Sequence, residues 1–494
     1  MRLTLKGYEM KRLRWYDYIT INLFWLGLNF RNTAVGTIIM PYLVDVFVPA
    51  GVRNSAFGAL RASGLIIALV AQPAFGLLSD RSTSRFGRRR PYIFVGVLLD
   101  LAFLAAMALS WNYWMLFASV LLLQFSANSS HGALQGLIPD MVPEDQRGRA
   151  SAFKAVFELL AIILVALSIA RIAGAGQIDW AIAATAGILL LIMILTMIFV
   201  REEPLQEKPD TPLGPPMLRV LGMLAGLAAG AAAGLVAGAL VGGLAGLIAW
   251  PLAGADTGMM VLVGLGGTVA MAVAAVTGVW AGALATLGQE ARRHASFTWW
   301  IVNRLLFFAA VTSIQAFAAF FLMSSLDMTR EEAVAMAGGL MMIVGICTLV
   351  AALPSGWLSD KFGTKRLAGV GGLVAAAGTA VLVLTMAMPS VPLIYVGGAI
   401  IGVGAGLFTT SNWALGTELA PREEAGHYLG VSNLAGAGAG VVGAGLGGLM
   451  ADFIDGYQPG LGHFVIFASY GVLFVLSTVS LLGVRGAGGA DQVA

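Results

Sequence analysis

Long apolar stretches, most of them about 20 residues or more, run through almost the whole of this 494-residue chain and are separated by short polar segments. A helix of about 20 apolar residues crosses the hydrocarbon core of a bilayer. Only 11% of the residues are charged, whereas soluble domains average about 25%. The sequence therefore predicts an all-α polytopic membrane protein, because it has too little polar surface for a water-soluble fold.

The apolar stretches form two sets of six with a pair between them. The first set lies near residues 18–46, 54–79, 91–111, 113–139, 148–172 and 177–200, and the second near residues 297–323, 331–358, 366–387, 391–419, 425–451 and 463–484. The pair, near 217–250 and 258–288, follows a polar linker. We therefore predict fourteen spans: a six-helix bundle in 1–205, a cytoplasmic linker with a transmembrane hairpin in 206–295, and a second six-helix bundle in 296–494.

The basic residues are distributed unevenly between the two predicted sides of the membrane. With a cytoplasmic N-terminus, only three of the 29 lysines and arginines fall outside, and four fall within spans. Those outside are Arg53, Arg171 and Arg330, and those within spans are Arg31, Arg61, Lys154 and Arg304. This bias follows the positive-inside rule and predicts a multi-pass protein of the cell membrane with both termini cytoplasmic. The net charge of +3 is too small to suggest binding to nucleic acid.

One loop, GLLSDRSTSRFGRRRPY at 76–92, holds five arginines and a single acid, and a shorter version, GWLSDKFGTKR, begins at residue 356. The loop resembles the signature of the major facilitator superfamily. The longer string QPAFGLLSDRSTSRFGRRRPYI is similar to the sucrose–proton symporter and glycoside–pentoside–hexuronide cation symporter group, and RGRASAF at 147 and FTWWIVNRLLFF at 297 resemble its bacterial branch. The resemblance implies two six-helix halves that rock about a central site, as in transporters built from repeats.

The same resemblance implies a gating role for the charged loop ends. An aspartate at the C-terminal end of a helix faces an unfavourable dipole and is stabilised by a cation. We expect Asp80 to pair with Arg81, Arg85 or Arg89, and Asp360 with Lys361 to form the counterpart in the second half. A weaker repeat, PDMVPEDQRGRA at 139 and TELAPREEAGHY at 417, adds three gating candidates, Asp140, Arg147 and Glu418. The alternative is that the arginines only anchor the topology.

Two helical faces inside the membrane are polar. The fourth span carries Gln124, Asn128, His131 and Gln135, and the first carries Trp25, Asn29 and Asn32, all at spacings of three or four that place them on one side of a helix. Further candidates in the second half are Asn303, Gln315, Asn412 and Trp413. Amides and indole rings suit the hydroxyls and apolar faces of a sugar-like solute. The alternative is that the amides join helices to one another.

Two carboxyl groups lie deepest in the apolar spans, Glu158 and Asp100. A desolvated carboxyl can exchange protons near neutral pH, so both are candidates for proton coupling, with Arg31 and Arg304 as possible partners. Lys154 could instead hold Glu158 in a structural ion pair. Relative to the plant symporters, the acid of the fourth span is replaced by Gln124, so coupling must use another group or be absent.

Seven glycines recur at every fourth position of the first insert span. They are Gly222, Gly226, Gly230, Gly234, Gly238, Gly242 and Gly246. Small residues on one ridge let another helix backbone approach closely. We expect the partner to be the stretch with Gly278 and Gly282, and self-association through the ridge is the alternative.

These patterns favour a secondary active transporter of a sugar or glycoside, coupled to protons, over an enzyme. The four histidines lack metal-ligand spacing, and the chain has no nucleotide-binding GxxxxGK[ST] loop. No cofactor and no metal are therefore expected, and the partners are the solute, the proton and the lipid bilayer. A non-transporting scaffold with the same fold, a carrier of another small organic solute and an uncoupled carrier remain open alternatives.

Overall fold

The computed structural model describes residues 13–202, 204–205, 214–419 and 433–485. Most of the polar linker and the two ends of the chain therefore lie outside the described residues. In the described part of the chain, every regular element is a helix. The predicted all-α architecture is confirmed there.

The first half contains nine helices and the insert contains three. They are α1 (Trp15–Thr33), α2 (Met40–Phe47), α3 (Arg53–Ser79), α4 (Arg90–Ala108), α5 (Tyr113–Leu134), α6 (Leu137–Met141), α7 (Arg147–Leu167), α8 (Ile169–Gly174), α9 (Ile178–Phe199), α10 (Gly214–Ala253), α11 (Ala255–Leu287) and α12 (Glu290–Arg293). A π-helical segment, Ala34–Ile39, joins α1 to α2.

The described residues of the second half form six long helices. They are α13 (Ala295–Ser325), α14 (Arg330–Phe362), α15 (Thr364–Leu384), α16 (Val391–Leu419), α17 (Asn433–Tyr457) and α18 (Leu461–Ser480). Within the described residues, each predicted apolar stretch corresponds to a long helix, except that the first comprises α1, the π-helical segment and α2, and the fifth comprises α7 and α8. Residues 425–432 of the stretch predicted at 425–451 lie outside the described residues. One end of the bundle holds residues 80–92 and is called the basic end. The other end, at which α3 begins, is called the opposite end.

Eleven helices in the described part of the chain are long and apolar enough to cross a membrane. The three long helices that do not qualify are α1, α5 and α17. Their apolar character is diluted by Asn22, Asn29 and Arg31 in α1, by Gln124 and His131 in α5, and by the repeated glycines of α17. The structure thus establishes eleven candidate spans, and the total of fourteen remains a prediction.

The glycine ridge of α10 lies against α11, which runs antiparallel to it. A Cβ atom at Gly226 would overlap the backbone of Gly282, and one at Gly230 would overlap the backbone of Gly278. The expected partner of the ridge is therefore confirmed. Because the ridge faces α11 of the same chain, self-association through these glycines would require the hairpin to open.

The hairpin docks mainly on the second half. The α11 helix packs against α13, α17 and α18. The hydroxyl oxygens of Thr268 and Ser469 are 2.7 Å apart, and the rings of Trp280 and Trp299 meet edge to face at 5.9 Å. The two halves meet through α3 against α17 and through α7 against α14. The helices at this interface are therefore α3 and α7 of the first half and α14 and α17 of the second.

Candidate functional site

Two aspartates and two arginines form a compact charge cluster at the basic end. Asp80 pairs with Arg89 and lies 4.0 Å from Arg88, and Asp140 pairs with both arginines, 2.9 Å from the Nε atom of Arg89. Arg89 is buried and also donates to the hydroxyl of Ser79 at 2.7 Å. The cluster therefore joins the end of α3, the start of α4 and α6 within the first half.

A carboxylate from the end of the first half fixes the start of α4. Glu202 accepts hydrogen bonds from the backbone N–H groups of Arg89 and Arg90 at 2.7 and 2.9 Å. Helix N-termini carry unsatisfied N–H groups that an anion stabilises. Burial raises the pKa of the Glu202 carboxyl, and these two backbone hydrogen bonds oppose that rise. The preceding Gly87 has a φ of +106°, and a side chain there would meet Glu202.

The other gating candidates take different positions. The guanidinium of Arg85 lies over the ring of Phe86 instead of against Asp80. The ammonium of Lys361 lies 5.3 Å from the ring centre of Trp357, and in the described residues Asp360 has no ion pair, so the expected pair between them is wrong here. Neighbouring residues on a helix point in different directions, which explains why Asp360 and Lys361 do not pair.

The remaining gating candidates make separate contacts. Arg147 donates to the carbonyl of Pro139, and Glu418 accepts from Thr364 at 3.1 Å. Arg81 begins the turn after α3 and donates its backbone N–H to Leu78.

We expect Asp80→Asn to lower the transport rate about tenfold while leaving membrane insertion and solute binding intact, because a neutral amide loses the charge-assisted pair with Arg89. The rate is measured as solute uptake into liposomes at equal amounts of reconstituted protein. Asp179→Asn, at an exposed position of the opposite end, is the matched control. Uptake by Asp80→Asn at the rate of the unaltered protein would remove Asp80 from gating.

Ion pairs tie the two halves together at the opposite end. Asp45 accepts from Arg53 at 2.8 Å and from Arg330 of the second half at 2.6 Å. Tyr42 donates to Glu331 at 3.2 Å, and the guanidinium of Arg330 lies 5.2 Å from the ring centre of Tyr42. A single aspartate of the first half thus holds one arginine from each half.

A second group of contacts at this end centres on Asp452, a buried acid of α17. Its carboxylate accepts from the backbone N–H groups of Asn54 and Ser55 at 3.2 and 2.6 Å and from the Asn54 side chain at 2.8 Å. An acid of the second half therefore caps the start of α3 in the first half. His463, fully buried, bridges Asn54 and Ser324, 3.0 Å from each. We call the contacts of Asp45 and Asp452 across the halves the opposite-end clamp.

Sequence reasoning did not identify the opposite-end clamp. Its members are single polar residues near helix ends, where polar residues are ordinary, and Asp45 and Arg330 are 285 positions apart. The sequence signal that exists is the placement of Arg53 and Arg330 on the side with few basic residues.

A cluster of ring and charged groups joins α1, α5 and α7 in the first half. Trp25 and His131 meet edge to face at 5.3 Å, and the ammonium of Lys154 lies 3.9 Å from the ring centre of Trp25. Glu158 is 3.7 Å from Lys154 and 37% exposed. The indole N–H of Trp25 is buried, and no described residue accepts its hydrogen bond. The structure therefore brings together four candidate or partner residues from three helices.

A second ion pair of the first half, between Arg31 and Asp100, is sealed from water. Arg31 donates to Asp100 at 2.7 Å, and each side chain is 3% exposed. Ser126 also donates to Asp100, and the Leu123 carbonyl accepts from Arg31. A proton carrier needs access to both sides of the membrane, so this geometry is typical of a structural pair.

The second half carries a cluster on α13 and α16. The Nη1 atom of Arg304 donates to Asn412 at 3.1 Å, and its guanidinium lies within 6 Å of the ring centres of Trp300, Phe308 and Trp413. At 1.5 Å per residue, Arg304 is about 14 Å from the start of α13, and Trp25 is about 15 Å from the start of α1. The two clusters therefore lie at similar depths from the basic end.

The remaining amides divide into two groups. Asn29 and Asn128 donate to backbone carbonyls one turn back in their own helices, and Asn303 is buried against Ser477. Gln124 lies beside Gly64 of α3. Asn32 and Gln135 are exposed, and Gln315 is partly exposed. Most of these candidate amides are thus at least partly exposed, whereas Asn303 is buried and joins two helices.

A sequence model of the Major Facilitator Superfamily matches residues 25–444 and, in a second match, residues 303–489. The nucleoside transporter NupG superposes with a TM-score of 0.64 at 12% identity, covering 94% of this chain and 99% of that one. A POT family transporter bound to 5-aminolevulinic acid gives a TM-score of 0.64 at 16% identity, covering 94% and 95%. At these identities the superpositions show the fold alone.

Curated relatives match over shorter segments. Proton-associated sugar transporter A of Mus musculus is 33% identical over 121 residues, which is 21% of this chain and 16% of that protein. An uncharacterized symporter of Synechocystis is 27% identical over 195 residues, covering 36% and 35%, and a sucrose transport protein of Arabidopsis thaliana is 26% identical over 155 residues, covering 26% and 24%. The matches thus span about a third or less of these relatives' lengths. Because the family model covers most of the chain, the protein belongs to the Major Facilitator Superfamily.

Proposed function

We propose that the protein is a secondary active transporter that moves a sugar or glycoside across the cell membrane by alternating access, coupled to protons. The observation that carries the proposal is the pair of clusters at similar depth, with Trp25 in one half and Arg304 and Trp413 in the other. The exposed indole of Trp413 can stack on an apolar sugar ring, and amide and charged groups bond to hydroxyls. Trp25 is buried beneath Lys154 and becomes available to a solute only when the halves move apart. Sugar transporters among the relatives support this solute class.

Alternating access requires a closure that forms and breaks at each end of the molecule. The opposite-end clamp supplies such a closure between the halves, through Asp45 with Arg330 and Asp452 with Asn54. The units that move are, in this proposal, 1–205 and 296–494, with the hairpin of 206–295 carried by the second half. The basic end faces the cytoplasm, as the positive-inside rule requires.

We propose Glu158 as the proton carrier. It is partly exposed, it lies at the level of Trp25, and its ionic partner among the described residues, Lys154, is held at the longer distance of 3.7 Å. A carboxylate that is loosely paired can gain and lose its proton as the halves move, whereas Asp100 is sealed within a tight pair.

We expect Glu158→Gln to abolish the stimulation of uptake by an imposed pH gradient while leaving exchange of labelled for unlabelled solute intact. An amide cannot titrate, but it keeps the shape and hydrogen-bonding capacity of the side chain. Both rates are measured in proteoliposomes, with Asp179→Asn as the matched control. Unchanged dependence on the pH gradient would remove Glu158 from this role.

The function itself is tested by uptake of a labelled disaccharide into proteoliposomes, with and without an inward proton gradient. A carrier of this kind is expected to concentrate the sugar only when the gradient is present. Uptake that is equal with and without the gradient would indicate an uncoupled carrier. The absence of uptake for sugars and other small solutes would favour a scaffold.

A further inference from the structure

In the described residues, the middle parts of the helices carry more cations than acids. Four basic residues lie well inside the helices, and the acids farthest from helix ends are Asp100 and Glu158. Those two acids pair with Arg31 and Lys154. Among the described residues, Arg61 and Arg304 therefore have no carboxylate partner. Charged side chains inside a membrane almost always pair or serve a substrate.

Among the described residues each of these two arginines donates one hydrogen bond, and the Nε atom of Arg61 is buried without an acceptor, so the two differ in their surroundings. Arg61 donates to the carbonyl of Gly36 in the π-helical segment at 3.0 Å and lies over the ring of Phe57. It is a contact between the first span and α3. Arg304 makes one hydrogen bond, to Asn412, although a guanidinium has five N–H donors. Arg304 therefore retains donors for a ligand.

The surroundings of Arg304 hold it in one orientation. The oxygen of Asn412 faces it because the amide nitrogen of Asn412 donates to Asn303 at 2.7 Å, and Asn303 is fixed in turn by Ser477. Three aromatic rings lie around the guanidinium, and Trp413, one of them, is 47% exposed. A planar guanidinium that is fixed in this way and open on one side matches the geometry of a carboxylate or phosphate.

We propose that Arg304 binds an anionic group, a carboxylate or a phosphate, on the transported solute, whose apolar ring face packs on Trp413. This inference rests on the proposed carrier function and specifies its solute as acidic. The bound anion neutralises a charge that no carboxylate of the described residues compensates. The Lys154–Glu158 pair in the other half is already neutral as a unit and does not compete for the anion.

Binding of matched neutral and acidic sugars to the full-length protein in detergent tests the proposal. The probes are maltose with maltobionate, sucrose with sucrose 6-phosphate, and benzoate as an acid without a sugar. Ligand-dependent shifts of the thermal unfolding midpoint give apparent affinities, because a ligand that binds the folded state stabilises it. The variants are Arg304→Gln, Arg304→Lys and, as the matched control at an exposed site, Arg171→Gln.

We expect at least one acidic sugar to bind the unaltered protein about tenfold or more tightly than its neutral counterpart. Arg304→Gln removes that preference, Arg304→Lys retains part of it because the charge remains, and Arg171→Gln keeps all of it. The midpoint without ligand shows whether each variant is folded, and Arg304→Lys carries the test if Arg304→Gln does not fold.

Three results would overturn the proposal: neutral sugars that bind at least as tightly as their acids, a preference for acids that survives in Arg304→Gln, or no shift with any probe. The outcome also separates this proposal from the proposed function. Neutral sugars that bind the unaltered protein and Arg304→Gln equally would leave the sugar carrier standing and remove the anion site. Benzoate binding that depends on Arg304, without binding of any sugar, would leave the anion site standing and remove the sugar carrier.

Discussion

Replacing Asp452 with alanine is expected to open the opposite end of the transporter. The carboxylate of Asp452 accepts three hydrogen bonds from Asn54 and Ser55, and two of their donors are the unsatisfied N–H groups at the start of α3. Hydrogen bonds to a charged group contribute about 1.5–3 kcal/mol each. Their loss should shift the equilibrium between the closed and open forms of this end by about tenfold or more.

The opening can be measured by labelling a cysteine placed inside the interface between the halves. Ala62 of α3 faces Gly445 of α17, and the one native cysteine, Cys347, is first replaced by serine. We expect Asp452→Ala to raise the labelling rate of Ala62→Cys by a membrane-impermeant maleimide about tenfold. Asp256→Asn, at an exposed acid of the hairpin on the same end, is the control. A labelling rate unchanged by Asp452→Ala would show that the opposite-end clamp does not hold this end closed.

Replacing Asp100 with leucine is expected to destabilise the first half strongly. Arg31 would then be a buried cation without its carboxylate partner, and breaking a buried pair by removing one member costs about 3–5 kcal/mol. The loss is measured as a fall in the thermal unfolding midpoint of the purified protein in detergent. Asp100→Leu combined with Arg31→Met is the paired control.

The double variant should recover most of the lost stability, because an apolar pair of similar volume leaves no uncompensated charge. Equal destabilisation by the single and double variants would indicate that packing, and not the missing charge, is responsible. A stable Asp100→Leu whose uptake loses its dependence on the pH gradient would instead make Asp100 a proton carrier.

The arrangement of helices was largely predictable because it depends on local patterns. The fourteen apolar stretches coincide with long helical segments, since each stretch is long enough to satisfy its own backbone hydrogen bonds as a helix in lipid. The contact between the glycines of α10 and Gly278 was also predictable. Four-residue spacing fixes which face of a helix allows close approach, and no distant residue is needed to define it.

The candidate site was only partly predictable, because it depends on contacts between distant residues. The spacing of polar residues shows that α1 and α5 each have a polar face, yet the contacts of His131 and Lys154 with the ring of Trp25 leave no periodic trace. Likewise, the spacing cannot show that the amide of Asn303 is hydrogen-bonded to Ser477 while Asn412 faces Arg304. The sequence predicted that arginines of the loop pair with Asp80. It could not show that the turn at 81–88 brings Arg88 and Arg89 to Asp80 and directs Arg85 to Phe86.

Distances between spin labels at the two ends of the molecule test the alternating-access account most directly. In the Cys347→Ser background, one labelled pair is Ala175→Cys with Ala387→Cys at the opposite end, and the other is Thr83→Cys with Arg366→Cys at the basic end; all four positions are exposed. Addition of a sugar that binds the protein and a change of pH should shorten the distance at one end as the distance at the other end lengthens. Two distances that stay constant under every condition, or that lengthen together, would contradict the account.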